Sequence, residues 1–483
     1  MSIKSKIGNG ITNFLYPYIQ NYTKGRGGDM PKQAMEYEEY CLQEKYLWFL
    51  GNEDLLADFY QSKTPRTTII DTRASYYYSN VDNKIRVIHS GIPSLISYGK
   101  SNLLLTGGIE TIVGKDDKEN QKDTDLLKSI LKDNDFENTI LSNSVATESW
   151  SSKFALKISF DKDISKYPII EKYNPFNYKA IYKRGRIQEI IFTDELYEDY
   201  QLDEIYGWGY IKYELYKIAK DGTRNKVSLD ELIDTAEYED ETFNENMMLA
   251  VEKKIDKSDY QGIMAEFDAL DETWSQLMDE VRTARAETYI PDILTVGKTF
   301  NDFRKKYVVT GSDERENGKN EISHNQPDIR VEQYTKASVA IRDNILANVH
   351  LNPLTIGIDD TIGANASAES IERRETVSLR TRKGMIDTWK PFLENFYNTL
   401  LNAYNWYFKN KSTFVEYTIT TIFGDYITPN IETRIDNVVK MKNADIIDDE
   451  KALDVIYGDN LSEEEKNRIL SNLGNETLSL EEE

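Results

Sequence analysis

Ile263, Phe267, Leu270, Trp274, Leu277 and Val281 recur at alternating steps of four and three residues. That 3.5-residue period fits one narrow apolar seam along a helix and cannot be accommodated on a strand, where faces alternate every second residue. As a helix, residues 262–288 would extend roughly 40 Å. Asp268, Asp271, Glu272, Asp279 and Glu280 occupy its other faces. A second seam follows at Val331, Tyr334, Ser338, Ile341, Ile345 and Val349, and the stretch between carries Pro291, Gly297, Gly311, Gly318 and Pro327, which predicts a small module of its own. Two helices with stripes this narrow can pack as an antiparallel pair. Their remaining surface is too polar for an ordinary core, so it is either solvated, as in a plain hairpin of a monomer, or it faces copies of itself.

A chain of 483 residues has room for roughly three domains. Its 32 Tyr, 17 Phe and 6 Trp are too many for a disordered polymer. The formal net charge of −24 argues against wrapping DNA electrostatically, which needs Lys and Arg against phosphate, but leaves room for a protein through which DNA moves. One cysteine, Cys41, excludes an internal disulfide, and three histidines leave little for a zinc site. Residues 1–30 contain no unbroken apolar run, so no secretion signal is expected, and no stretch has the length and apolarity to cross a bilayer. A reducing cytoplasmic setting, with no membrane, is the simplest expectation.

Residues 31–145 read mainly as helix, with "NVDNKIRVIHSGIPSLISYG" a helix interrupted at Pro93. Strands follow to about residue 258, including two joined by a turn at Arg184-Gly185. After the second seam, residues 352–366 are rich in Gly, Asn and Asp and predict a loop. A helix capped by Ser367 or Ser370 then carries Ile371, Met385, Trp389, Phe392, Phe396 and Leu400 on one stripe. Within it Pro391 has no amide hydrogen for the carbonyl of Asp387, and its ring crowds that carbonyl, which predicts a bend. "STFVEYTITTIF" predicts a strand, and the acidic remainder two or three short helices.

Motifs for chemistry are few. "TGGIETIVGKD" has the wrong spacing for a phosphate loop and Asp116 where a magnesium-binding hydroxyl should stand. The pairs Asp359-Asp360, Glu369 with Glu372, and Asp448-Asp449 have the residue types for a divalent ion or for acid–base work, but among 83 acidic residues such neighbours arise by chance. There is no Gly-x-Ser-x-Gly elbow and no His-Glu-x-x-His helix. Cys41 reads as a packed thiol, and His89 and His350, on helical stripes, as core or interface residues. No catalytic residue, metal or cofactor is expected. One cluster stands apart: Arg373, Arg374, Arg380, Arg382 and Lys383 crowd consecutive turns and cannot all pair with the interleaved Glu369, Glu372 and Glu375. They predict salt bridges to an acidic neighbouring subunit, with phosphate contact as the alternative.

The order of segments carries a resemblance. A small-residue loop, "SAESIERRETVSLRTRK", "WKPFLENFYNTLL", "VEYTIT" and "NADIIDDEKALDVI", preceded by "FDALDETWSQLMDEVRTARAETYIP" and "YPIIEKYNPFNYKAIYKRGRIQEIIF", resembles the portal proteins of tailed bacteriophages, in particular the family of long-tailed phages of Gram-positive hosts. The resemblance implies an α+β, predominantly helical fold. It maps 1–30 to an N-terminal arm, 31–260 and 367–430 to the wing, 261–290 and 331–351 to the two stem helices, 291–330 to the clip, 352–366 to the tunnel loop and 431–483 to the crown. It further implies a ring, usually of twelve copies, at one capsid vertex, with double-stranded DNA passing through its channel. The implied partners are the terminase large subunit, then head-completion or adaptor proteins, with scaffolding and major capsid proteins around the ring.

On that mapping Thr355, Asp359, Asp360 and Asn365 belong to the tunnel loop, which carries no cation to grip phosphate. Phe267, Leu270, Trp274, Leu277, Ile341 and Ile345 form the stem seam. Arg304, Lys305 and Lys306 in the clip steady DNA or touch the motor, and Pro391 turns the long helix from channel to wing. Two other readings stand beside it: a soluble carboxylate-dependent metal hydrolase and an acidic coiled-coil scaffold.

Overall fold

The computed structural model describes residues 37–63, 77, 85–115, 118–197, 199–219, 223–231, 240–284, 287–291, 306–310, 323–358, 368–411, 413–424, 438–442, 447 and 451–452. Helices α1 (Tyr37–Leu50), α2 (Glu53–Lys63) and α3 (Ile92–Leu105) open the chain. The helix expected across Pro93 instead begins there. Residues 85–91 have no regular structure, Gly91 takes φ 73°, and Pro93 sits in the first turn, where its missing N–H has no partner to lose.

Strand β1 (Ile109–Lys115) interrupts what the sequence suggested was a helical region. It pairs antiparallel with β15 (Thr418–Phe423), from Ile109 opposite Phe423 to Gly114 opposite Thr418, and β2 (Lys118–Glu119) adds a short third strand. The glycines that suggested a phosphate loop, Gly107 and Gly108, have φ of 89° and 76° and make the turn into β1.

Helices α4 (Gln121–Asp133) and α5 (Ser142–Ser151), joined by a π-helical turn over Phe136–Leu141, lead into two sheets. The smaller has order β11-β3-β4, built from β3 (Lys153–Ser159), β4 (Ile169–Tyr173) and β11 (Ala250–Lys254). The larger has order β10-β8-β7-β6-β5, from β5 (Tyr178–Lys183), β6 (Arg186–Tyr197), β7 (Tyr200–Gly207), β8 (Tyr210–Ile218) and β10 (Glu241–Thr242), with β9 (Arg224–Val227) also on β8. The turn anticipated at Arg184-Gly185 joins β5 to β6, with φ of 52° and 77°.

Helices α6 (Met264–Thr283) and α7 (Val331–Asn348) follow the two striped segments. Between them β12 (Glu287–Pro291) pairs parallel with β13 (Lys306–Thr310) and antiparallel with β14 (Ser323–Asn325).

The longest element, α8 (Ala368–Lys409), runs continuously through Pro391. Pro391 and Asp387 both face solvent, so water can satisfy the carbonyl that the proline leaves without a donor. Trp389, Leu393, Phe396, Tyr397, Leu400 and Leu401 are fully buried against β1, β3, α4, α5 and β15, making α8 the spine of the larger core. Burying each such side chain is worth about 1.5–3 kcal/mol.

A comb of polar groups one helical turn apart holds β15 to this spine. Glu394 accepts from the Thr421 amide at 3.0 Å, Asn398 from Tyr417 at 3.4 Å and Asn402 from Val415 at 2.8 Å. Helix side chains thus take the place of a further strand.

Candidate functional site

The two striped helices form an antiparallel hairpin. Glu280, in the last turn of α6, meets Arg330, which precedes α7: the guanidinium donates to the carboxylate at 3.1 and 3.3 Å, and the Arg330 amide donates at 3.3 Å. These hydrogen bonds hold the Glu280 carboxyl below its usual range. At the opposite end Phe267 and Leu270 of α6 and Ile345 and Leu346 of α7 share a buried cluster with Trp48, Tyr77, Ile92 and Ile96. The base of the hairpin is therefore set in the smaller core, and its tip leads to the β12–β14 sheet.

A buried carboxylate fixes the base. Asp271 of α6 is fully enclosed and accepts from the Tyr77 hydroxyl and the Ser90 amide, each at 2.8 Å, and stands 2.8 Å from His89 Nδ1. One turn on, Ser275 accepts from the Ile88 amide at 2.9 Å. Burial and the adjoining Asp271 charge push the Tyr77 hydroxyl pKa up. Asp271, which the sequence placed on an outer polar face, instead clamps the segment before α3. His89 lies in that irregular segment. His350, expected on a helical stripe, is exposed just beyond α7 with φ 56°.

The seam divides along its length. Phe267, Leu270, Leu277 and Ile345 are buried and Ile341 is half-buried, as a stripe between paired helices should be. Trp274 and Val281 depart from it, 39% and 44% exposed. Met278, 39% exposed, falls between them, and Val331 of α7 is 47% exposed. Trp274, Met278 and Val281 thus form an apolar line on α6, spaced i, i+4, i+7, that the described residues leave exposed. Acidic Glu266, Asp268, Glu272, Asp279 and Glu280 share α6 with the single cation Arg282.

The expected tunnel loop begins as a 3₁₀ turn over Pro353–Ile356 that is fastened down. Thr355 donates to Ser378 Oγ of α8 at 2.7 Å, and the Asn352 amide donates to the same oxygen at 2.8 Å. Ile356 packs on Gly99 of α3, where an added Cβ would come within 2.6 Å of its Cγ2. Asp359, Asp360 and Asn365 lie outside the described residues, as do Arg304, Lys305, Asp448, Asp449 and nearly all of 431–483. Lys306 opens strand β13.

The cationic cluster is split by the helix it sits on. Arg373 and Arg374 lie in the first turns of α8, and Arg380 and Lys383 are exposed. Arg382 corrects the intersubunit expectation: it is buried and donates to the carbonyls of Leu103 at 2.8 Å, Thr106 at 2.9 Å and Gly424 at 2.6 Å. It closes the end of α3, whose last carbonyls lack helical donors, and ties it to the end of β15. Nothing in the local sequence separates Arg382 from Arg380, because its acceptors come from elements remote in the chain.

Residues 49–476 match the family described as "Phage portal protein, SPP1 Gp6-like". The chain belongs to this family. It is a structural portal protein, a non-enzymatic component of the virion that assembles as a homo-oligomeric ring, and its fold is the α+β portal fold expected from the sequence. The carboxylate-hydrolase alternative falls with that assignment. Comparison with curated proteins gives no match. Among solved structures, the portal chain is similar to one from "Neck of native GTA particle computed with C12 symmetry", at 9% identity and TM-score 0.41, covering 76% of this chain and 90% of that one. It is also similar to one from "Virion of native gene transfer agent (GTA) particle", at 10% identity and TM-score 0.41, covering 91% and 98%. Among the described residues of the portal protein no helix is long and apolar enough to cross a membrane.

Proposed function

We propose that this portal protein forms a ring, of twelve copies, at one capsid vertex of a long-tailed phage of a Gram-positive host, and that double-stranded DNA enters and leaves through its channel. In this reading α6 and α7 are the stem, the β12–β14 module is the clip, residues 31–260 and 367–430 are the wing, and 352–366 face the bore. The clip, with Arg304, Lys305 and Lys306, receives the terminase large subunit and later the head-completion or adaptor proteins. Scaffolding and major capsid proteins contact the outside, and the ring assembles in the host cytoplasm before it joins the virion.

The hairpin carries this reading. Its base is locked into the core, while its outer half leaves Trp274, Met278, Val281 and Val331 exposed and the other faces of α6 are strongly acidic. Apolar lines of this kind are covered when identical hairpins stand side by side. The acidic remainder then lines a channel that repels phosphate, so a duplex slides without sticking. Negative-stain images and mass measurement of the purified chain test the proposal. A ring with a central hole wide enough for a duplex is expected; a compact monomer under all conditions would overturn it.

A further inference from the structure

The larger sheet has two free edges of opposite charge. β5 forms one and, among the described residues, pairs only with β6. With its turn it exposes Lys179, Lys183, Arg184 and Arg186, and among the described residues none of the four makes an ion pair within the chain. A register shift falls between Ile181 and Tyr182, whose side chains are exposed beside these cations, the Tyr182 hydroxyl donating to Glu252 of β11.

At the other edge, among the described residues, β8 is flanked on its outer side by short β9 and two-residue β10 alone. There Asp230, Glu231, Asp240 and Glu245 are exposed. Asp240 accepts from the Tyr213 amide of β8 at 3.2 Å, and the Glu245 backbone packs on Gly209 where β7 turns into β8. Of the cations on this edge, Arg224 pairs with Asp203 at 2.7 Å and Lys226 with Glu214 at 2.6 Å, Lys217 donates to the Tyr200 hydroxyl, which donates to Glu231, and Lys212 is exposed. One edge is thus cationic and the other anionic, in a chain whose net charge of −24 makes an unpaired cationic edge the exception.

We propose that the β5 edge of one copy docks against the β9/β10 edge of the next copy, making this sheet a head-to-tail contact between subunits. The inference rests on the ring reading above and adds to it a surface and a direction. Lysines on an edge strand ordinarily keep sheets from pairing with their like. Here that repulsion opposes two-fold pairing through either edge, and the opposite charge on the far side leaves the heterologous arrangement that closes a ring. Each exposed pair is weak alone. Complementary patches repeated at every interface set orientation and association rate.

Two reversals in the full chain test this: Lys183→Glu with Arg184→Glu and Arg186→Glu at one edge, and Asp230→Lys with Glu231→Lys and Glu245→Lys at the other. Either set alone should raise the concentration for half assembly by about tenfold or more in sedimentation at low salt, with thermal unfolding unchanged. Both sets in one chain should restore assembly. Should a reversed chain misfold, the milder set Lys183→Gln, Arg184→Gln and Arg186→Gln should shift assembly the same way by a smaller factor. If reversals at either edge leave assembly unchanged while wild-type rings form, the docking is wrong and the ring reading survives. Rings that persist while the β5 reversal weakens duplex binding would assign that edge to nucleic acid and overturn the proposal. Absence of rings in the wild-type chain removes both readings.

Discussion

Buried Arg382 and half-buried Lys172 are two cations held in opposite ways. Arg382 meets the carbonyl end of α3 and the Gly424 carbonyl, acceptors that suit a permanent charge. Arg382→Leu should therefore lower stability by about 2–4 kcal/mol, because carbonyls are left without a donor, whereas exposed Arg380→Leu should stay within about 0.5 kcal/mol. Urea unfolding of the two variants measures the difference. Lys172 of β4 donates to Thr147 Oγ1 and Asn174 Oδ1, each at 2.6 Å, both uncharged, and burial pulls its pKa down to about 8. Its ordinary value is 10.5, so between those values the unfolded chain binds more protons and stability rises with pH; below about 8 the cost of burying the ammonium is present in full. Lys172→Met should remove that dependence. The variant should be the more stable at pH 7, by up to about 3 kcal/mol less the lost hydrogen bonds, and the gap should close as pH climbs past 8 toward 10.5. Calorimetry at pH 7 and pH 10 reads it, and a gap that does not change would contradict the assignment.

The α6–α7 hairpin behaves as two elements end to end. Its base takes part in the core through Phe267, Leu270 and Ile345 and is locked by Asp271, while its outer half depends on what stands beside it. Trp274→Asp separates the halves. Because Trp274 is exposed in the single chain, circular dichroism and the melting temperature should be nearly unchanged. In the assembly a carboxylate would enter an apolar contact at a cost of several kcal/mol per interface, so rings should be lost in sedimentation. Intact rings from this variant would remove α6 from the subunit contact. Helix α8 is a single element with an inward face continuous from Ser378 to Ala403, tying the turn after α7 to α5 and β3 through Ser378 and Trp389. Trp389 donates to Glu148 at 2.7 Å, and Glu148 pairs with Lys253 at 2.6 Å, so α8, α5 and β11 share one buried polar joint.

For the whole molecule, charge is the organising quantity. With 83 acidic against 59 basic residues, copies repel at long range, and assembly needs local cationic surfaces placed against acidic neighbours. We propose that Arg373 and Arg374, in the first turns of α8, supply one. Replacing both by Glu should weaken subunit association more than affinity for a duplex, measured by sedimentation and by fluorescence anisotropy of labelled DNA. The reverse ranking would assign these arginines to phosphate. Association should weaken with added salt, since exposed charges are screened over about 8 Å at physiological ionic strength.

Periodicity in the sequence was enough to place α6, α7, the long stripe of α8 and the β5–β6 hairpin, because a face that must be buried repeats at the spacing of its own element. It also recorded the order of segments that marks the portal family. The pairing of β1 with β15, the inward turn of Arg382, the enclosure of Asp271 and the exposure of Trp274 were settled only by tertiary structure. In the first three of these the deciding group comes from far along the chain: a partner strand, a helix end or a tyrosine. Local spacing reports which face is buried. Which residues come to lie against that face is set only once distant segments have packed.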